Sequence, residues 1–318
     1  MKSTIVIPNY NGIKYLENCL RSLETEQAYI IVIDNGSTDG SYELLAAKFP
    51  QVETIRFEEN TGFCKAVNAG IGKAKTEYII LLNNDTIVEQ GFVEALEKAV
   101  EQDERIFSGS AKMLSMQEQE KIDDAGDLYC ALGWAYAIGK GKAESQYATS
   151  YSIFAACGGA CIYRKSILDR IGLLDENHFA YLEDIDLGYR ALIYGYRNIF
   201  VPTARVIHAG SASSGSRYNK FKVDLTSKNS IYLIYKNMPF LQIVLNVPFL
   251  MMGFGIKTLF FIKKGLGKAY VTGLFKGIKL SLSPQGREHK VRFQMTNLGN
   301  YCKIQLSLWI NTVRRLHS

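Results

Sequence analysis

Residues 4–8, TIVIP, form a short β-branched run that stops at Pro8 and Asn9, and residues 13–23 then set Ile13, Leu16, Leu20 and Leu23 at helical spacing. The same alternation returns three times. YIIVID (29–34) predicts a second strand, with NGSTDGS as its loop and a helix over 41–49. VETIRF (52–57) predicts a third, and EENTGF leads into a helix through Ala74. YIILLN (78–83) predicts a fourth, followed by a helix over 89–102 with Phe92, Val93, Leu96 and Val100 on one face. Strands alternating with helices predict an α/β fold with a mostly parallel central sheet and helices on both sides.

In such a sheet the ligand sits at the carboxyl ends of the strands. Three of those ends are polar here: Pro8-Asn9-Tyr10-Asn11, Asp34-Asn35 and Asn83-Asn84-Asp85. Any one alone reads as a turn or helix cap, but three converging on one edge predict a site. Residues 105–165 then read as strands and loops, with Gly158-Gly159 marking a close backbone approach inside a strand. In FAYLEDIDLGYRALIYGYR, the acids Glu183, Asp184 and Asp186 open a helix, where the dipole favours negative charge. Three acids in four residues also repel, so at least one is expected to meet a metal, a substrate hydroxyl or a base, while Asp186 is expected as a cap. NIFVPTARVIH (198–208) predicts one more strand, ending in His208 and a small polar loop, AGSASSGS.

The charge divides the chain. Residues 1–235 carry 24 Lys+Arg against 30 Asp+Glu, and residues 236–318 carry 13 against one, Glu288. Residues 237–256 hold no charge at all, and residues 266–282 continue as an amphipathic pattern. A basic region interleaved with aliphatic runs suits helices lying in an anionic membrane interface better than a span broken by Pro239 and Pro248, and the plain alternative is a basic helical cap packed on the catalytic domain. It suits nucleic acid poorly, because few aromatics are placed to stack on bases. MKSTIVIPNY reaches Pro8 too soon for the apolar core of an export signal, and the six cysteines, with no C-x-x-C pair, read as buried thiols in a reducing cytosol. Cys157 and Cys161 lack the further ligands a metal site needs.

The fragments VIPNYNG, VIDNGSTDGS, ENTGF with AVNAG, LLNNDT and FAYLEDIDLGYR, and a late strand ending in His, stand in order across residues 3–235. In this set the chain resembles the inverting family 2 glycosyltransferases of the A-type fold, in particular bacterial rhamnosyltransferase-like members. The resemblance implies transfer of a sugar from a nucleotide-diphosphate donor, dTDP-rhamnose or a UDP-hexose, to a glycan or lipid-linked acceptor in cell-surface polysaccharide synthesis. It makes Asp34 the nucleobase-binding acid, with Pro8, Asn9 and Tyr10 lining the base and ribose pocket. Asn60, Gly62, Lys65 and Asn68 fall near the diphosphate, where Lys65 is either a phosphate partner or a solvated surface lysine. Asp85 takes the last position of the metal-binding motif, preceded by Asn83 and Asn84, and His208 matches the family's late-strand histidine. The implied cation is Mn or Mg, with His208 favouring Mn. Asn83 stands where this fold often has aspartate, which removes one negative charge and weakens metal binding without nucleotide. Asp184 matches the general base, with Glu183 orienting it or the acceptor.

These expectations divide the chain into a catalytic domain, 1–235, and a basic helical region, 236–318, held peripherally on the cytoplasmic face of the cell membrane. Two other classes remain open at this level. A sugar-nucleotide nucleotidyltransferase would carry a Gly-rich, Arg/Lys-containing loop after the first strand, which PNYNGIKY lacks. A non-catalytic scaffold that binds sugar nucleotides or membranes would not need Asp34, Asp85, Asp184 and His208 together.

Overall fold

The computed structural model describes residues 1–210 and 218–317, so most of the AGSASSGS loop lies outside the described residues. Strands β1 (Ser3–Asn9), β2 (Tyr29–Asn35), β3 (Glu53–Phe57) and β4 (Tyr78–Leu82) pair in parallel in the order β3-β2-β1-β4. Helices α1 (Ile13–Ser22), α2 (Ser41–Lys48) and α3 (Phe63–Lys73) make the crossovers, and α4 (Phe92–Glu101) follows β4. Every residue of β4 is buried, as its unbroken apolar run requires. The helix expected from residue 89 starts at Phe92, because Gly91 breaks the chain into a left-handed turn at φ 83°.

Between β4 and α4 lies β5 (Thr86–Val88), too short for periodicity to reveal. The sheet continues with β6 (Ile106–Ser115) and β7 (Ile122–Asp124), while β8 (Asp127–Cys130) and β9 (Trp134–Ala137) form a separate hairpin. β10 (Ser152–Ile153), β11 (Ala160–Arg164) and β12 (Arg197–His208) complete the sheet in the order β10-β12-β6-β11-β4. β11 enters antiparallel between β4 and β6, and β12 runs parallel to β6. Helices α5 (Lys165–Ile171) and α6 (Glu183–Ile193) lie between these last two strands in sequence. The mixed α/β architecture expected from the alternation is therefore present, with antiparallel strands added on one side.

The chain ends in helices α7 (Lys220–Asn237), α8 (Phe240–Lys263), α9 (Gly267–Leu282), α10 (Pro284–Glu288) and α11 (Leu298–Leu316). The division expected at residue 235 falls inside α7. Leu233, Leu250 and Leu308 share one buried cluster with Tyr129, Phe154 and Tyr189, so the basic helices and the sheet domain have a core in common.

Asp186 is no helix cap. It is wholly buried, accepting from Arg190 Nε at 3.0 Å, Lys236 Nζ at 2.9 Å and Asn237 Nδ2 at 2.8 Å. Its partners on α7 lie some fifty positions away in sequence, beyond the reach of local pattern. Helix α8 has the length and composition to cross a membrane, yet one of its faces is bound to protein along its length. Gln242 accepts from Tyr189 Oη at 2.8 Å, and Asn246 exchanges amide hydrogen bonds with Gln305 at 2.8 and 2.9 Å. A Cβ on Gly253 would stand 2.1 Å from the Leu132 carbonyl, so only glycine lets the helix settle on the β8–β9 hairpin. The opposite face, including Phe240 and Met251, is exposed.

All six thiols are free. Four are buried as expected, but Cys302 is exposed and Cys157 half-buried. Burial pushes Cys19 and Cys161 up to about 12, which keeps both as inert thiols.

Candidate active site

A cavity of about 2210 Å³ opens along the carboxyl ends of the sheet. Pro8, Asn9, Tyr10, Asn60, Asn83 and Asn84 line it. Asp85, His208, Glu183 and Asp184 line the same cavity. Ten of the fourteen expected site residues therefore meet in one space.

Asp34 lies beside that wall, wholly buried. Its Oδ1 accepts from Asn9 Nδ2 at 3.2 Å, and its Oδ2 makes no hydrogen bond. The half-exposed Arg56 lies over that oxygen at 3.9 Å. Asn9 is held in turn by Asn84, whose Nδ2 donates to its Oδ1 at 2.6 Å. A Cβ at Gly12 would stand 1.9 Å from that amide nitrogen, which accounts for glycine in the first loop. Asn60 builds the third loop: its Oδ1 accepts from Gly62 N at 3.0 Å and Asn35 Nδ2 at 3.1 Å. Gly62, at φ 92°, lies against the Phe179 ring, behind the cavity wall.

Of the two readings of Lys65 the structure has the solvated one, and Asn68 departs from expectation. Lys65 points to solvent on α3 and Asn68 is turned inward, and neither lines the cavity. Asn68 Nδ2 donates to the Leu174 carbonyl at 2.8 Å while its Oδ1 accepts from Leu174 N at 3.2 Å, which fastens α3 to the loop before α6. Their helical spacing fixes only which way each points once α3 is docked, so the third-loop position alone could not place them.

Asp85 and His208, 123 positions apart, are brought together by β5. Its three residues pair antiparallel with the end of β12, setting His208 opposite Thr86. His208 Nε2 then lies 3.3 Å from Asp85 Oδ1, and its Nδ1 lies 2.7 Å from Asp123 Oδ2. Burial works against the charged imidazole, but Asp123 and Asp85 together hold it up at about 9. Asp123 itself is pushed up by burial and pulled down further by His208 and Lys140, to about 2. One carboxylate and one imidazole nitrogen facing the same space, with a second carboxylate fixing the ring from behind, is a donor set that fits a divalent cation. Asp123 was missed, although the acids of IDDAGD, Asp123, Asp124 and Asp127, are a visible signal.

Asp184 and Glu183 enter the cavity from the first turn of α6. Burial pushes both carboxyls above their ordinary values, and the Asp184 charge pushes Glu183 further. Asp184 Oδ1 accepts from Ile185 N at 2.7 Å, while Glu183 Oε2 is buried without a hydrogen bond. The loop entering α6 is strained, with Phe179, Tyr181 and Leu182 at φ 66–69°. Asn229 of α7 holds it: one Nδ2 reaches the carbonyls of His178 (3.0 Å), Ala180 (2.8 Å) and Tyr181 (2.8 Å). Asp124, Asp127 and Cys157 gather nearby, their ligand-capable atoms within 4.8 Å of one another.

Residues 4–172 match the sequence profile of "Glycosyl transferase family 2". The chain belongs to that family. It is a glycosyltransferase, which transfers sugar from a nucleotide sugar. It is 25% identical over 239 residues to an "N-acetylglucosaminyl-diphospho-decaprenol L-rhamnosyltransferase" of Mycobacterium tuberculosis, covering 66% of this chain and 77% of that one. It is 30% identical over 237 residues to "Uncharacterized glycosyltransferase YwdF" of Bacillus subtilis, covering 73% and 82%. Among solved structures, GalNAc-T7 with UDP, GalNAc and Mn2+ superposes with a TM-score of 0.60 at 19% identity, over 74% of this chain and 48% of that one. That likeness bears out the A-type glycosyltransferase fold.

Proposed function

We propose that this glycosyltransferase performs inverting transfer from dTDP-rhamnose or a UDP-hexose to a hydroxyl of a glycan or lipid-linked acceptor in cell-surface polysaccharide synthesis. The observation that carries the reading is the shared cavity, in which a cation-fitting pair, Asp85 and His208, faces a raised carboxyl, Asp184. The unpaired Oδ2 of Asp34 accepts the imide N–H of uracil or thymine once Arg56 lifts away. Asn9 and Asn84 fix that carboxylate, and Tyr10 flanks the base.

Asp85 and His208 would hold Mn or Mg, which when bound offsets the negative charge growing on the departing diphosphate. The Mycobacterium tuberculosis relative, an L-rhamnosyltransferase, and the solved structure with UDP and Mn2+ support that choice of donor and cation. Asp184 accepts the proton of the acceptor hydroxyl as its oxygen attacks the anomeric carbon from the face opposite the nucleotide. The new C–O bond forms while the bond to the diphosphate breaks, and the electron pair leaves on the diphosphate oxygen. A carboxylate raised by burial is a stronger base than one in water. Glu183, raised further, keeps its proton and orients the acceptor.

Helices α8, α9 and α11 hold the enzyme peripherally on anionic membrane at the cytoplasmic face. The bound inner face of α8 supports a helix lying on the surface over one crossing it. The decisive experiment is a panel of dTDP-rhamnose, UDP-galactose, UDP-glucose and UDP-N-acetylglucosamine with Mn, read by release of free nucleoside diphosphate. Release of pyrophosphate, or of nothing across the panel, would overturn the reading.

A further inference from the structure

Helix α6 carries the acid pair, and the residues leading into it, 178–182, are built at a cost. Phe179, at φ 66° and ψ −60°, is the centre of a γ-turn, closed by Ala180 N donating to the His178 carbonyl at 2.8 Å. That turn is rare and strained for a residue with a side chain. Tyr181 and Leu182 follow at φ 69° and 66°, and outside this loop only Asn11 among the described non-glycine residues has a positive φ. Buried polar atoms add to the cost. Both ring nitrogens of the wholly buried His178 lack a hydrogen bond, and so does Asn229 Oδ1. A loop that served only to connect would take glycine at these positions and leave no imidazole unpaired. Cost gathered beside an acid pair in a cavity marks a conformation kept for its geometry.

One amide holds it. From α7, Asn229 Nδ2 donates to the carbonyls of His178, Ala180 and Tyr181. Phe179 is fastened to the start of α3, its carbonyl accepting from Cys64 N at 3.1 Å. Leu182 passes directly into Glu183, so φ and ψ at Tyr181 and Leu182 aim the first turn of α6. The rest of that helix is fixed elsewhere, by Asp186 with Lys236 and Arg190. A return of Tyr181 and Leu182 to negative φ therefore falls on Glu183 and Asp184.

We propose that Asn229 is a positioning residue for Asp184. Its side-chain amide clamps residues 178–182 in the strained conformation that presents the acid pair to the cavity, and without it the loop relaxes and withdraws them. This rests on the glycosyltransfer reading above, which makes Asp184 the base, and adds a residue of α7 to the same site.

The test uses the full-length protein, Mn and the donor identified by the panel above, with water as the acceptor. In Asn229→Ala, kcat for nucleoside diphosphate release should fall about ten- to a hundredfold, the scale of a misplaced catalytic group, with donor KM within about twofold of wild type. Asn229→Ser, which keeps one hydroxyl donor, should lose less, and it serves if Asn229→Ala does not fold. Leu182→Gly, free of the left-handed penalty, should restore about tenfold of the loss in either variant yet give no gain in the wild-type background. Hydrogen exchange reads the loop without turnover. Peptides carrying the amides of Cys64 and Asp186, which donate to the Phe179 and Leu182 carbonyls, should exchange faster in both Asn229 variants, while those of β1 and β4 stay unchanged. Unaltered turnover in both variants would overturn the proposal. So would faster exchange across the whole sheet, or no recovery with Leu182→Gly, since either makes Asn229 a packing residue only. Failure of the glycosyltransfer reading shows separately, as wild-type protein that releases no nucleoside diphosphate, and the exchange result then still decides whether Asn229 clamps the loop.

Discussion

Lys236 and Asp186 lie 2.9 Å apart with both side chains buried, joining α7 to the helix that presents Asp184. The same ammonium is 2.8 Å from Asp175. Lys236→Met leaves two buried carboxylates short of a cation and should cost about 3–5 kcal/mol, read by urea denaturation. Burial alone would raise both acids, but Lys236 and its neighbours hold Asp175 down to about 2 and Asp186 well below the ordinary range. Depressed carboxyls add stability above their unfolded value of about 4. That stability is lost as pH falls from there through about 2. Melting temperature should therefore drop steeply below pH 4 in the wild type and less steeply in Lys236→Met.

The parallel half of the sheet was legible because each strand and helix there is a local pattern: an apolar run, a polar stop and a 3.6-residue stripe. The site residues at strand ends were legible for the same reason. What sequence missed depends on distance. β5 has three residues and becomes visible only as the strand that pairs with β12. Asp186 reads as a cap until Lys236 is seen beside it, and Asn68 as a ligand until Leu174 closes on it. Asn229, which holds the strained loop before Asp184, shows no motif at all.

Asp85→Ala should abolish metal-dependent nucleotide binding, since no other carboxylate stands on that loop. Asp123→Asn should weaken it roughly ten- to a hundredfold, as loss of a carboxylate behind a ligating imidazole does. Titration of Mn with UDP or dTDP present measures both, and an unchanged affinity in Asp85→Ala would remove the cation assignment.

Asp184→Asn keeps shape and hydrogen bonding but accepts no proton, so transfer should fall by roughly two to four orders of magnitude. Donor affinity, measured in the same protein, should change little. Glu183→Gln should cost less. If it costs more, the two carboxyls exchange roles.

The membrane assignment needs a variant that spares the shared core. A chain cut after Lys236 is the wrong one: it strips Leu250 and Leu308 from Tyr129, Phe154 and Tyr189 and should aggregate. Leu241, Met251 and Leu259 are 67%, 71% and 70% exposed on α8, and replacing all three with Gln leaves that core intact. Each removes apolar area from the bilayer boundary, while the 13 cations of residues 236–318 are untouched. Since each cation near an anionic surface contributes about 1 kcal/mol, the triple variant should keep a salt-sensitive residue of binding to phosphatidylglycerol vesicles and lose its salt-resistant part. Wild-type protein should stay bound in part at high salt, whereas the triple variant should be released in full, with donor binding the same in both. Wild type that stays in the supernatant beside these vesicles at low salt would make the exposed face of α8 an oligomer contact instead.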